Sequence, residues 1–279
     1  MTKKRQSPKA TEISAASTIT RTSAHQPKRN DQLGRWILQN RLGRGGNGEV
    51  WLAVDSSGAE VAIKLLMKMR PVPYERFKSE VAALTLVAGV KGILPLVDSH
   101  LPSDLAGDRP WYAMPVAVPL LETVKRATTQ EKVRAVAEVA ETMSHLHKKG
   151  VAHRDIKPGN LLVFEGRCHI SDFGLVDYPE KADITEVNEQ LGPRWTMAPE
   201  VRREGNASDP KPADVNSLTK TLWILLTGDA TCFEGQYVSE RSQSIKDHCG
   251  RRLHHFARRA ACGRHRTPSR TQAHNGRFP

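Results

Sequence analysis

The stretch from His153 to Gly174, HRDIKPGN followed by LLVFEGRCHI and SDFG, limits what this chain can fold into more than any other. Leu161–Phe164 is a short apolar run, Glu165-Gly166 a tight turn and Arg167–Ile170 a return run, so the spacing predicts a β-hairpin. Antiparallel pairing carries the residues that flank a hairpin to the same end. Asn160 and Asp172 are therefore expected close together, with Asp155 one short loop away. An amide and a carboxylate converging on one point are hard oxygen ligands of the kind Mg²⁺ takes. A further carboxylate beside them can orient or deprotonate a hydroxyl. Asp and Asn also favour turns for purely local reasons, so this cluster defines a chemistry only if the rest of the chain supplies matching parts.

H-R-D-x-x-x-x-N followed by D-F-G resembles the catalytic loop and metal-binding motif of protein kinases, and Lys157, two residues after Asp155, is the form of the serine/threonine branch. The other parts of that pattern occur in order. A strand at Arg35–Leu38 runs into Leu42-Gly43-Arg44-Gly45-Gly46-Asn47-Gly48. G-x-G-x-x-G is shared with dinucleotide-binding folds, but those need a helix after the glycines. Here Glu49–Val54 reads as a strand, Asp55–Gly58 as a turn and Glu60–Leu66 as another strand. Glycines bridging two strands make a flap whose backbone N–H groups can lie over phosphates.

Val61-Ala62-Ile63-Lys64 matches the family's V-A-I-K, which implies that Lys64 meets the α- and β-phosphates of ATP. Its partner should be an acid on the next helix, where Phe77, Val81, Leu84 and Val87 give helical spacing over Tyr74 to Val87. Glu80 is the better placed acid and Glu75 the next. By the same resemblance Met114 is the gatekeeper, Pro115-Val116-Ala117 the hinge with Ala117 donating to the adenine, and Val50, Ala62 and Leu162 the apolar surfaces around the base; each of these would equally suit a core position. Ile93–Val97 and Trp111–Val118 read as the remaining strands, with a polar loop over Ser99–Pro110.

Thr128 followed by Glu131 predicts a capping box, and Val133, Val136, Ala140, Met143 and Leu146 form one face of the helix after it, ended by Gly150. His145 and His147 on that helix read as structural. Met197-Ala198-Pro199-Glu200 resembles the A-P-E that closes an activation segment. Within it Thr185 is the first expected phosphate acceptor and Thr196 the second, with Arg154 as the cation to receive the phosphate. Pro193 stands where many relatives have Thr, and Thr196 where they have Tyr, which removes one link between this segment and Asp155. Asp214 begins a central helix and is implied to hold the backbone of the catalytic loop; Asn216 occupies a place where an aromatic is common.

The formal charge of +12 suggests nucleic acid at first sight, yet residues 1–35 carry a net +6, residues 246–279 a net +8, and 36–245 a net −2. The basic ends lack the interleaved aromatics of a nucleic-acid surface. The four cysteines, Cys168, Cys232, Cys249 and Cys262, have no framework spacing, and Cys249, Cys262 and His265 match no zinc pattern. No apolar run approaches the length of about eighteen residues that spans a bilayer, and the N-terminus lacks a secretory core. Past Lys246 the apolar period stops, as in a truncated or frame-shifted end, and a C-terminal lobe short of its last helices is expected.

The sequence therefore predicts an α+β, two-lobed protein-kinase-like fold over 35–245, an N-lobe of small antiparallel sheet and one helix to about residue 116 and a mainly helical C-lobe beyond it, with basic tails over 1–34 and 246–279. The expected activity is transfer of the γ-phosphoryl group of ATP, with Mg²⁺, to Ser or Thr hydroxyls of proteins, this chain included, in the cytoplasm. Asp155, Lys157, Lys64 and Glu80 are the expected catalytic residues, and Asn160 and Asp172 the metal ligands. A kinase-like nucleotide binder of little activity and a basic-tail nucleic-acid binder are the alternatives; neither nucleic acid nor membrane is the expected partner.

Overall fold

In a computed structural model of the chain, residues 26–45, 48–105, 107–178, Thr196, Ala198 and 209–229 are described. Strands β1 (Gln32–Leu33), β2 (Trp36–Arg44), β3 (Gly48–Val54), β4 (Glu60–Leu66), β5 (Asp98–His100) and β6 (Trp111–Met114) form one antiparallel sheet in the order β1-β2-β3-β4-β6-β5. Side chains alternate across a strand, and this alternation places Lys64. Val61, Ile63 and Leu65 of β4 join Trp36, Leu38, Trp51, Ala53, Trp111 and Ala113 in a compact cluster on one side of the sheet. Lys64 and Leu66 must then project to the other side, where helix α1 (Pro71–Leu86) lies. The indoles of Trp36 and Trp51 donate to Asp98 Oδ2 (2.9 Å) and Glu49 Oε2 (3.1 Å), so neither buried N–H is left without an acceptor.

Three boundaries differ from the sequence expectation. Gln32 and Leu33, inside the expected basic tail, pair with Ile37 and Trp36. Ile93–Val97 is not a strand. Ile93 and Leu94 are buried by packing, with Ile93 bridging to Ile170, and the strand is the polar Asp98–His100 inside the expected loop. Pro95 has no N–H for a ladder, and an edge strand needs few apolar residues. The run Trp111–Val118 also divides: β6 stops at Met114, before Pro115, and β7 (Val118–Pro119) pairs with another sheet.

That second sheet is β7-β8-β9, with β8 (Leu161–Phe164) and β9 (Arg167–Ile170) joined as the hairpin the sequence predicts. Glu165 and Gly166 both have positive φ, 49° and 72°, as a two-residue turn between twisted strands requires. Helices α2 (Leu120–Thr123), α3 (Thr129–Lys148) and α4 (Pro210–Thr227) complete the described fold. Helix α1 starts before the expected Tyr74, because Pro71 is tolerated in a first turn that lacks N–H partners anyway.

The capping box on α3 is complete: Glu131 N–H donates to Thr128 Oγ1 at 3.3 Å and Thr128 N–H to Glu131 Oε2 at 2.6 Å. Thr128→Ala should cost about 1 kcal/mol, read as a lower urea midpoint with an unchanged slope. One continuous core joins α1 (Tyr74, Phe77, Val81, Leu84) to α3 (Val139, Met143, Leu146), to Leu161 and Ile170 of the hairpin, and to Leu218 and Leu225 of α4. The hairpin is thus packed into the same core as α1, α3 and α4, which anchors the loops at its open end. Among the described residues no helix is long and apolar enough to cross a membrane.

Candidate active site

The loop between α3 and β8 takes its shape from one buried carboxylate. Asp214, in the first turns of α4, is 1% exposed; its Oδ2 accepts the backbone N–H of His153 and its Oδ1 that of Arg154, each at 2.7 Å. His147 Nε2 also donates to Oδ2, at 2.9 Å. Arg154 sits at φ 65°, a strained value for a non-glycine residue, and these paired bonds hold it there. Its guanidinium lies 3.3 Å from Asp177 Oδ2, and the backbones of Ala152 and Asp177 exchange two hydrogen bonds of 2.8 Å. His153 donates from Nε2 to the Ser171 carbonyl (3.1 Å) and packs edge-on against Phe173, 4.9 Å between centroids.

This frame brings the sequence-predicted polar residues together. Asn160 Nδ2 donates both to the Asp155 carbonyl and to Asp155 Oδ2, each at 2.8 Å, and Lys157 Nζ reaches the same Oδ2 at 2.8 Å. Asp155 Oδ1 is buried with no hydrogen-bond partner among the described residues. The Asn160 carbonyl accepts Ser171 N–H (2.9 Å) and Ser171 Oγ (3.0 Å), which fixes Asn160 one residue from Asp172. Asp172 itself is left-handed, at φ 64° and ψ 72°.

Lys64 Nζ lies 2.6 Å from Glu80 Oε1 and 2.9 Å from Asp172 Oδ1. Glu75, the other acid considered, pairs instead with Lys78 at 2.6 Å. Burial opposes the charge on Lys64, but Glu80, Tyr112 and Asp172 outweigh it and hold the ammonium well above its ordinary range. The same ammonium pulls the Asp172 carboxyl well below the usual carboxylate range. Burial pushes the Glu80 carboxyl up, against the pull of Lys64.

Gly43 lies near the end of β2, Gly48 opens β3 and Gly45 is in the turn between them; Gly46 and Asn47 lie outside the described residues. A side-chain carbon on Gly48 would stand 2.9 Å from the Leu65 carbonyl oxygen, and one on Gly43 would meet nothing within 4 Å. The first glycine is required by packing, whereas the second leaves space open beside the turn. Gly43→Ala should keep the fold and weaken nucleotide binding, while Gly48→Ala should lower the thermal midpoint; calorimetry and thermal unfolding of both variants separate the two effects. Glu49, nearly buried, supports the turn from behind, with Arg41 at 3.3 Å and Arg44 at 3.7 Å.

Ala62 is buried and pairs across the sheet with the half-buried Met114; Val50, Leu162 and Ala117 are half-buried, and Leu42 is exposed. Thr185, Pro193 and Glu200 lie outside the described residues, as do Cys249, Cys262 and His265. Thr196 is 3% exposed, its carbonyl accepts Ser217 Oγ at 2.9 Å and its hydroxyl is buried with no partner among the described residues. Sequence reasoning missed Tyr112, Asp177, Ser171 and the tie from His147 to Asp214. Tyr112 carried a signal, a phenol in the apolar run WYAM, opposite Lys64 in the strand register; His147 carried a weaker one, one turn beyond the buried Met143.

A basic residue clamped by a helix glutamate, a glycine turn between β2 and β3, and an Asp–Asn–Asp cluster at the foot of a hairpin are the parts that a protein kinase domain assembles. The protein kinase domain family matches residues 36–270, and the chain belongs to that family. The match continues past residue 245, where the apolar pattern of the sequence stops. Among curated relatives, the serine/threonine-protein kinase AfsK of Streptomyces griseus is 32% identical over 220 residues, 76% of this chain and 26% of that protein. The serine/threonine-protein kinase PknA of Mycobacterium tuberculosis is 32% identical over 198 residues, 66% of this chain and 45% of that protein. The DNA damage-responsive serine/threonine-protein kinase RqkA of Deinococcus radiodurans is 30% identical over 222 residues, 76% of this chain and 32% of that protein. The chain thus spans less than half the length of each of these relatives.

The donors suit magnesium. Both amide hydrogens of Asn160 are spent on Asp155, which leaves its carbonyl oxygen as the group of that side chain able to meet a cation. Asp172 adds a carboxylate held in its anionic form. Among the described residues no group of three or more His, Cys, Asp or Glu is placed to hold a metal alone. Two hard oxygen donors, with phosphate oxygens and water completing the shell, are how Mg²⁺ is commonly held.

Proposed function

We propose that this chain is a protein serine/threonine kinase that moves the γ-phosphoryl group of ATP to a protein hydroxyl. The observation that carries the reading is Asp155. One of its oxygens is engaged by Asn160 and Lys157, and the other is buried with no hydrogen-bond partner among the described residues. A buried, unpaired carboxylate oxygen is costly unless something is meant to meet it. An incoming hydroxyl fits: Oδ1 accepts its hydrogen bond, aims its oxygen at phosphorus and receives its proton as the new P–O bond forms and the bond to ADP breaks.

Lys64, set by Glu80, holds the α- and β-phosphates of ATP, and Lys157 steadies the transferring group while it fixes Asp155. Gly43–Gly48 cover the phosphates, with Leu42, Val50, Ala62, Met114, Ala117 and Leu162 around the adenine. Asn160 and Asp172 would hold magnesium, which neutralises phosphate charge when bound. Most of the rate enhancement in such a site comes from position and charge.

Activation-segment phosphorylation is the finer part of the proposal, with Thr185 as acceptor and the chain itself as one source of the phosphate. Arg154 would receive it, and the guanidinium now shared with Asp177 would be drawn toward the phosphate. Incubation with labelled ATP and casein tests the activity. Label should appear in casein as phosphoserine and phosphothreonine, need magnesium, and vanish with a chelator. No transfer by a chain that binds Mg·ATP would favour the reading of a kinase-like binder.

A further inference from the structure

Tyr112 is nearly fully buried on β6, directly across the sheet from Lys64. Its hydroxyl donates to Glu80 Oε1 at 2.9 Å, the same oxygen that Lys64 meets at 2.6 Å. Its ring packs against Phe77 of α1, 5.4 Å between centroids at a tilt of 41°, and Lys64 Nζ stands 5.8 Å from the ring centre. One side chain therefore touches the lysine, its glutamate partner and the helix that carries the glutamate.

Glu80 needs this contact. It is 3% exposed, and Lys64 divides its ammonium between Glu80 and Asp172. A buried carboxylate with one shared partner is poorly compensated, and a second donor restores the balance. The first turn of α1 is tied down separately: Tyr74 donates its hydroxyl to the Pro102 carbonyl. Both ties run from α1 to other parts of the N-terminal half, and neither uses a residue of the activation segment.

We infer that Tyr112 is a positioning residue that latches α1 to the sheet through Glu80, so that the Lys64–Glu80 pair stands assembled before ATP or an activation-segment phosphate arrives. This rests on the kinase reading, in which Lys64 meets the nucleotide. It goes beyond that reading by assigning the standing order of α1 to the sheet.

The test uses the full chain as wild type, Tyr112→Phe, Glu80→Gln and the double variant, with thermal midpoints, calorimetric binding of magnesium and a non-hydrolysable ATP analogue, and transfer to casein. Phenylalanine keeps the ring against Phe77 and removes only the hydroxyl. Tyr112→Phe should lower kcat/KM for ATP about tenfold, the size of one lost bond to a charged group, with KM for casein unchanged. In the Glu80→Gln background the further loss should shrink to about twofold or less, since the hydroxyl acts through the carboxylate. Wild-type kinetics in Tyr112→Phe, or an equal loss in both backgrounds, would overturn the latch. Hydrogen exchange on unliganded wild-type protein gives a second reading that needs neither a stable variant nor activity. Amides of Phe77 to Leu84 should exchange as slowly as those of α3, and fast exchange there that slows only with nucleotide would overturn the inference. A wild-type chain that binds no magnesium nucleotide sinks the kinase reading instead, and the exchange result still decides the latch.

Discussion

Asp155→Asn should lower phosphoryl transfer by about a thousandfold or more while leaving magnesium–nucleotide affinity within about twofold, because in the proposed mechanism the change removes the general base and not a phosphate contact. The geometry makes the substitution informative. Asparagine has the same shape, and its carbonyl oxygen can replace Oδ2, which Asn160 and Lys157 both engage. Its amide group then falls where Oδ1 is buried without a partner among the described residues. An acceptor becomes a donor at the one point where the incoming hydroxyl must give up its hydrogen. Single-turnover transfer and calorimetric nucleotide binding, measured on the same preparation, check both halves. Transfer retained within tenfold of wild type would mean that the hydroxyl is oriented by some other group, and Asp155 would lose its role.

The catalytic loop and hairpin were legible because their geometry is local. Four-residue strands, a two-residue turn and fixed pleat spacing leave Asn160 and Asp172 little freedom. The same holds for Lys64, whose side of the sheet follows from the apolar alternation of Val61, Ile63 and Leu65. Choosing Glu80 over Glu75 needed the helix face as well, and the buried positions Phe77, Val81 and Leu84 supply it. What stayed hidden depends on contacts far apart in the chain. Ile93–Val97 looks like a strand because burial by packing and burial by a sheet leave the same apolar run, and only Pro95 argues otherwise. Tyr112, 32 positions from Glu80, reads as an ordinary strand aromatic until helix α1 is laid across it. Asp177 looks like a loop residue, and only the bridge from Ala152 brings it to Arg154.

Asp214 is the extreme case of a distant contact that decides local chemistry, and its loss should have the largest effect on stability of any change outside the apolar core. Asp214→Ala strands the backbone N–H groups of His153 and Arg154 and the Nε2 of His147, three donors that now converge on one carboxylate. Each buried donor left unmet costs about 1–3 kcal/mol, so with partial relaxation a loss of about 3–5 kcal/mol is expected in urea unfolding. Asparagine should rescue little of it. Its single oxygen replaces one acceptor, while its amide turns a donor toward a backbone N–H. Activity should fall further than stability alone explains, because Arg154 is held at φ 65° by these bonds and Asp155 is the next residue. Freed of them, Arg154 returns to a relaxed conformation and Asp155 moves away from Asn160. His147→Ala removes one donor and leaves both backbone bonds in place, so it should cost only about 1 kcal/mol and spare catalysis. Equal losses of activity in the two variants would show that Asp214 serves the packing of α3 against α4 and does not shape the loop.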